Sequence, residues 1–161
     1  NVQLHVKALG DLLTSKGWYI ATAESCTSGM LASYLTSIPG ASLWFDRGLV
    51  AYSLAAKQAL LGVKPQTLEH EGAVSAACVR EMLNGLFAQH PVDVGIAVSG
   101  LTGPTGDQSG VPVGTIWFAF GCRDHEPQIF CKRFHGERNA NVHQACCFII
   151  AKLHEYLMEK P

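Results

Sequence analysis

Hydroxyl, thiol and amine side chains that could attack a carbonyl or move its protons gather around two short stretches of this sequence. The first is Glu24-Ser25-Cys26-Thr27-Ser28-Gly29. An apolar run over residues 18–23 precedes it and apolar residues at helical spacing follow, so it reads as a strand-to-helix turn of small residues. Such a turn leaves backbone N–H groups unpaired ahead of a helix dipole, a place that stabilises an anion or an oxygen gaining charge. Ser25 there is a nucleophile, a phosphate ligand or a plain helix cap. As a nucleophile it needs a base beside it. The second stretch offers one in Lys57, which follows Tyr52 across another strand-to-helix step. A lysine has to fall from its solution pKa of about 10.4 to ~7–8 to act as a base near neutral pH. The apolar surroundings of Lys57 (Ala55, Ala56, Ala59, Leu60) favour that fall by desolvation. A Ser–Lys pair with a tyrosine orienting or relaying the proton is one form of the acyl-transfer constellation. The plainer reading of Lys57 is a solvated helix lysine.

Cys26 competes as a nucleophile, since a helix N-terminus lowers a thiol pKa. With no paired histidine in the sequence it reads as a buried bystander. Glu24 is a general acid/base, a ligand to a substrate hydroxyl, or a carboxylate favoured by the helix dipole. Residues 100–110 form a Gly-rich loop in which Gly100 and Gly103 let backbone approach a ligand, and Thr102 and Thr105 add hydroxyls. This loop is neither a Walker loop nor a G-x-G-x-x-G, and a tight surface turn is its bland alternative. Arg138 stands ahead of the last helix, where a guanidinium could take a phosphate or carboxylate with two parallel bonds. A surface arginine is the alternative. The seven histidines are dispersed and none is assigned a catalytic role.

The elements that must position these groups follow from periodicity. Helices are expected at 2–16, 28–37, 55–61, 76–89 and from Asn139 to about Glu159. Strands are expected at 18–23, 49–52, 92–99, 113–120 and 128–134, and residues 65–71 read as mostly loop. The alternation predicts a three-layer α/β/α sandwich over a mixed, mostly parallel central sheet. Ligands of open sheets bind beyond the strands' carboxyl ends. The Ser25 turn, the Tyr52 region and the Gly-rich loop all lie at such ends, so parallel strands would bring them to one cleft.

The chain has 161 residues, which predicts one domain over 1–161. It is 48% hydrophobic and 16% charged with a formal net charge of -1, so a large share must be buried and no basic face is set aside for nucleic acid. No apolar run is long enough to span a membrane, and the charged N-terminal segment is unlike a secretory leader. Six cysteines without C-x-x-C spacing read as reduced, mostly core residues of a cytoplasmic protein rather than disulfides or a zinc site.

Several motifs resemble one family. The run 22–29 is similar to its T-A-E-S-C-T-G-G; residues 45–63 to W-F-x-x-G-x-V-x-Y-S-N-x-A-K-x-x-L-G-V; residues 72–75 to G-A-V-S. Residues 99–104 resemble S/T-G-I-A-G-P, residues 112–115 P-V-G-T, and residues 134–138 F-x-G-x-R. The chain therefore resembles the CinA C-terminal domain family along almost its whole length. That resemblance implies an amidohydrolase that needs neither metal nor cofactor and converts nicotinamide mononucleotide to nicotinic acid mononucleotide and ammonia. It implies Ser25 as nucleophile, Lys57 as base and Tyr52 as assistant in proton transfer. It also implies a substrate shell of Glu24, Thr27, Ser28, Gly29, Ser99, Gly100, Gly103 and Arg138, and a homo-oligomer. The oxyanion donors are expected among the backbone N–H groups of the 25–29 turn. The sequence departs from the family pattern at Ser28, Leu54, Thr102 and His143, which leaves open a nucleotide-binding or regulatory domain without turnover.

Overall fold

In the computed structural model, which describes residues 1–159, strand parity decides the layers. Strands β1 (Ile20–Glu24), β2 (Phe45–Val50), β3 (Val94–Gly100), β4 (Thr115–Cys122) and β5 (Gln128–Arg133) form one sheet in the order β2-β1-β3-β4-β5. β1 pairs in parallel with both β2 and β3, and β4 runs antiparallel to β3 and β5. Four of the five strands thus share a direction, in agreement with the expected mixed, mostly parallel sheet. Across the register, Ala23, Ala97 and Ala119 stand in one row and Ala21, Gly95 and Gly121 in the next. The intervening rows carry Ile96 with Phe120 and Val98 with Phe118. Successive side chains of a strand point to opposite faces. One face of the sheet is therefore bulky and the other nearly flat.

Each face takes a different helix layer. Against the bulky face lie α1 (Val2–Lys16), α2 (Met30–Leu35) and α6 (Arg138–Glu159), contributing Leu9, Leu13, Leu31, Ile149 and Ile150 to one core. Against the flat face lie α3 (Leu54–Leu61) and α5 (Ala76–Gln89), with Val79, Met82, Leu83 and Leu86 in a second core. The small residues allow α5 to approach closely: a Cβ on Gly95 would stand 2.8 Å from Leu83 Cδ1. Within that layer α3 and α5 touch backbone to side, since a Cβ on Gly85 would fall 1.7 Å from the Leu61 carbonyl oxygen.

Three local expectations are corrected. The helix expected at 28–37 is only the six-residue α2, because the chain turns through left-handed conformations at Ser28 (φ 51°) and Gly29 (φ 94°) before it can start. The segment read as mostly loop after Val63 holds a helix, α4 (Pro65–His70), opened by Pro65 in its first turn, where a proline fits. The last helix begins at Arg138, with the Glu137 carbonyl accepting from Asn141 N–H, so Asn139 lies inside its first turn and does not cap it. Among the described residues no helix is long and apolar enough to cross a membrane. The six cysteines are free thiols; four are buried, Cys147 is half-buried and Cys131 is exposed.

Gly85→Ala should lose about 1–3 kcal/mol, since the added methyl meets backbone that cannot rotate away. At ~2–4 °C per kcal/mol for a chain of this size, a thermal melt reads that directly; an unchanged Tm would show that α3 and α5 separate freely.

Candidate functional site

β1 ends in two consecutive side chains that go opposite ways. Glu24 is fully buried on the α2 side. Its Oε1 accepts from Thr27 Oγ1 at 2.5 Å, Gly29 N–H at 3.2 Å and Leu31 N–H at 2.9 Å, and its Oε2 from Ala32 N–H at 3.0 Å. The positive end of α2 is thus occupied by the protein's own carboxylate. Ser25 turns to the other side, toward α3. The carboxyl ends of β1, β2 and β3 then converge on a cleft of about 520 Å³ that Ser25, Tyr52, Lys57, Ser99, Gly103 and Arg138 all help to line.

Lys57 is delivered to this cleft from the first turns of α3, whose N-cap Ser53 accepts from Ala56 N–H at 2.9 Å. Lys57 is only 2% exposed. Its Nζ lies 2.8 Å from Ser25 Oγ, 3.1 Å from the Ala51 carbonyl and 2.9 Å from the Tyr52 carbonyl. Burial pushes the Lys57 ammonium below the ordinary lysine value. A neutral amine keeps two N–H groups and one lone pair. With both N–H groups directed at the two carbonyls, the lone pair faces the Ser25 hydroxyl, the arrangement a general base needs. The rival nucleophile Cys26 has its thiol pushed up to about 12, chiefly by burial, so it stays protonated near neutral pH.

The remaining residues divide into those in the cleft and those behind it. Gly100 and Gly103 line it, and neither has room for a side chain: a Cβ on Gly100 would stand 2.7 Å from the Thr115 carbonyl, and Gly103 has φ 92°. Arg138 donates to the Gly103 carbonyl at 2.8 Å and to the Tyr52 hydroxyl at 3.2 Å. The Tyr52 side chain is exposed, and its partner is Arg138 rather than Ser25 or Lys57. Glu24, Thr27, Ser28 and Gly29 do not line the cleft. Among the turn's backbone donors, Ser25 N–H goes to the Val98 carbonyl, Ser28 N–H to the Ser25 carbonyl and Gly29 N–H to Glu24. Among the described residues no backbone acceptor takes up the Thr27 N–H, and the Cys26 N–H meets only its own thiol. His143 lies elsewhere on α6, its Nδ1 2.7 Å from the Tyr34 hydroxyl. Among the described residues no three His, Cys, Asp or Glu side chains gather as a metal site would require.

Asn141 escaped sequence reasoning. It is 1% exposed and holds the loop to α6: Nδ2 donates to the Thr102 and Gly136 carbonyls at 3.0 and 2.9 Å, and Oδ1 accepts from Gly136 N–H at 2.8 Å. The only sequence signal was a polar residue on the stripe that otherwise reads apolar, three residues after Arg138.

Comparison with known proteins finds likeness in both sequence and fold. A model of the CinA C-terminal domain matches residues 3–157. The chain is 46% identical over 140 residues to a nicotinamide-nucleotide amidohydrolase PncC of Enterobacter agglomerans, covering 87% of this chain and 85% of that one. It is 38% identical over 151 residues to the protein of the same name from Escherichia coli strain K12, covering 94% and 92%. The crystal structure of competence damage-inducible protein A from Klebsiella pneumoniae matches with a TM-score of 0.96 at 37% identity, over 100% of this chain and 99% of that one.

Glu24→Gln should act on stability and not on ligand affinity. A buried carboxylate with several donors loses about 1.5–3 kcal/mol when its charge is removed. A lower Tm with an unaltered KM is expected; a raised KM at unchanged Tm would return Glu24 to the substrate shell.

Proposed function

Since the chain belongs to the CinA C-terminal domain family, we propose that it is a nicotinamide-nucleotide amidase working through a Ser25–Lys57 dyad. The single observation that carries the reading is the 2.8 Å contact between Lys57 Nζ and Ser25 Oγ inside the cleft. Relatives bearing the name nicotinamide-nucleotide amidohydrolase point to a nucleotide carboxamide as substrate.

The geometry supports a reaction in the following steps. Ser25 Oγ attacks the carboxamide carbon as its proton passes to the Lys57 lone pair. The carbonyl oxygen gains negative charge, and the N–H groups of Cys26 and Thr27, neither of them bonded to a backbone carbonyl among the described residues, are the donors nearest to hand. Collapse of the tetrahedral adduct breaks the C–N bond. The leaving nitrogen takes the proton from Lys57 and departs as ammonia. Water then attacks the Ser25 ester, delivering a proton through Lys57, and releases the carboxylic acid. No step requires a metal from the residues present. Arg138 holds the substrate phosphate at the rim, and Tyr52 assists by fixing Arg138 through its hydroxyl.

Ammonia release from nicotinamide mononucleotide by the purified protein tests the reading. Ser25→Ala and Lys57→Arg should each lose at least ~10³-fold in kcat, because neither an alanine nor an always-protonated guanidinium can take part in the transfer. No turnover by the parent at high enzyme concentration would overturn the reading.

The pH profile is a second test. Lys57 works as a base only when neutral, and its pKa is lowered. The rate should therefore climb with pH and level off below the ordinary lysine value of about 10.4. A rate still climbing through that value would show that Lys57 is not desolvated as a base. Tyr52→Phe should raise KM several-fold and spare kcat; a collapse of kcat instead would place the phenol in proton transfer.

A further inference from the structure

The cleft's rim carries a charge that the reaction does not use. Among the residues lining the cleft, Asp107 is the sole carboxylate and Arg138 the sole guanidinium. Glu24, the other acid of this region, is sealed behind β1. Asp107 belongs to the loop after β3 and is exposed at the mouth, whereas Ser25 at the floor is 6% exposed. Its orientation is fixed by a local turn: Oδ1 accepts from Ser109 N–H at 2.9 Å and also from the Ser109 hydroxyl. Those two bonds hold the Asp107 carboxyl below the usual range, so it is ionised at neutral pH. The backbone N–H of Asp107 itself adds a weaker hydrogen bond to the carboxylate. The side chain is thus held through Oδ1 by Ser109, in a residue that lines the cleft.

Resting on the amidase reading above, we propose that Asp107 selects the sugar of the substrate by accepting a hydrogen bond from a ribose hydroxyl. A pyridine carboxamide with its amide carbon at Ser25 puts its ring in the depth of the cleft. The glycosidic bond then carries the ribose outward to the mouth, where Asp107 stands, with the phosphate going to Arg138. A carboxylate oxygen accepting from a hydroxyl makes a short, charge-assisted bond. The same oxygen repels a ligand with a phosphate on that hydroxyl, because two anions would face each other. Asp107 would thereby admit mononucleotides with an unmodified ribose and disfavour both deoxyribose and ribose-phosphorylated forms. The pyridinium charge is the other group a carboxylate could address, but the ring sits with the amide at the floor, away from the mouth.

The test compares nicotinamide mononucleotide with its 2′-deoxy and 3′-deoxy analogues, on the parent and on Asp107→Asn. Asparagine keeps the oxygen that binds Ser109 and replaces the second carboxylate oxygen by an N–H donor. The parent should prefer the ribonucleotide over at least one deoxy analogue by roughly 10–100-fold in kcat/KM, the range of one hydrogen bond to a charged group. Asp107→Asn should lose that preference, through KM on the ribonucleotide alone, with an unchanged Tm. Equal losses on ribo and deoxy ligands, or no loss, would overturn the proposal. If the parent shows no turnover at all, the amidase reading fails by itself. Calorimetric Kd values of ribonucleotide and deoxynucleotide for parent and variant then decide the Asp107 proposal separately, and equal discrimination by the two proteins sinks it.

Discussion

A lysine amine sealed from water must find acceptors for its N–H groups or give up a proton, and Lys57 does the first in a way that prepares the second. The carbonyls of Ala51 and Tyr52 come from the connection between β2 and α3, and the third neighbour, Ser25 Oγ, comes from the end of β1. Much of the surrounding structure serves this meeting. The flat face of alanines and glycines lets the α3–α5 layer come close enough for a side chain on α3 to reach β1. The contact of Gly85 with Leu61 sets α3 against α5. Had the flat face carried the valines and phenylalanines of its opposite, the helix layer would stand farther off and the amine would lie in solvent with an ordinary pKa.

The other face shows the complementary solution. Its short helix α2 has N-terminal amides that would otherwise attract an anion, and Glu24 satisfies them from within. The fold thereby keeps a carboxylate and an amine on opposite sides of one strand, with the sheet between them. A carboxylate in the cleft beside Lys57 would favour the ammonium and raise its pKa, which is the wrong direction for a base. Placing Glu24 behind the sheet leaves the lowered pKa of Lys57 undisturbed.

Much of this was legible in the sequence because it is written in local patterns. The order of elements follows from periodicity, and the convergence of Ser25, Tyr52 and Ser99 follows once β1, β2 and β3 run parallel. Residue types and spacing singled out Ser25 and Lys57, the motif resemblance did so again, and the structure adds that the two touch. What was not legible depends on parity and distance. Whether Glu24 or Ser25 faces the cleft turns on where β1 begins its alternation, which apolar residues on both faces conceal. Asn141 joins α6 to a loop distant in sequence, and a lone polar residue on an apolar stripe does not reveal that its partners are the backbone of Thr102 and Gly136. Ser28, expected in the substrate shell, lies outside the cleft; it occupies a left-handed turn that glycine adopts without cost.

The back-to-back arrangement of Glu24 and Ser25 also bears on how this chain can change over time. A single residue inserted into or deleted from β1 would exchange the faces of every side chain in the strand. It would carry an acid into the reaction chamber and a hydroxyl into the oily layer under α6, losing chemistry and packing together. Length variation among descendants should therefore be excluded from β1 and collect in the exposed stretch around Asp107, where the backbone has no sheet partner to keep. The floor that holds Ser25 and Lys57 is then kept constant by geometry while the rim around Asp107 stays free to vary.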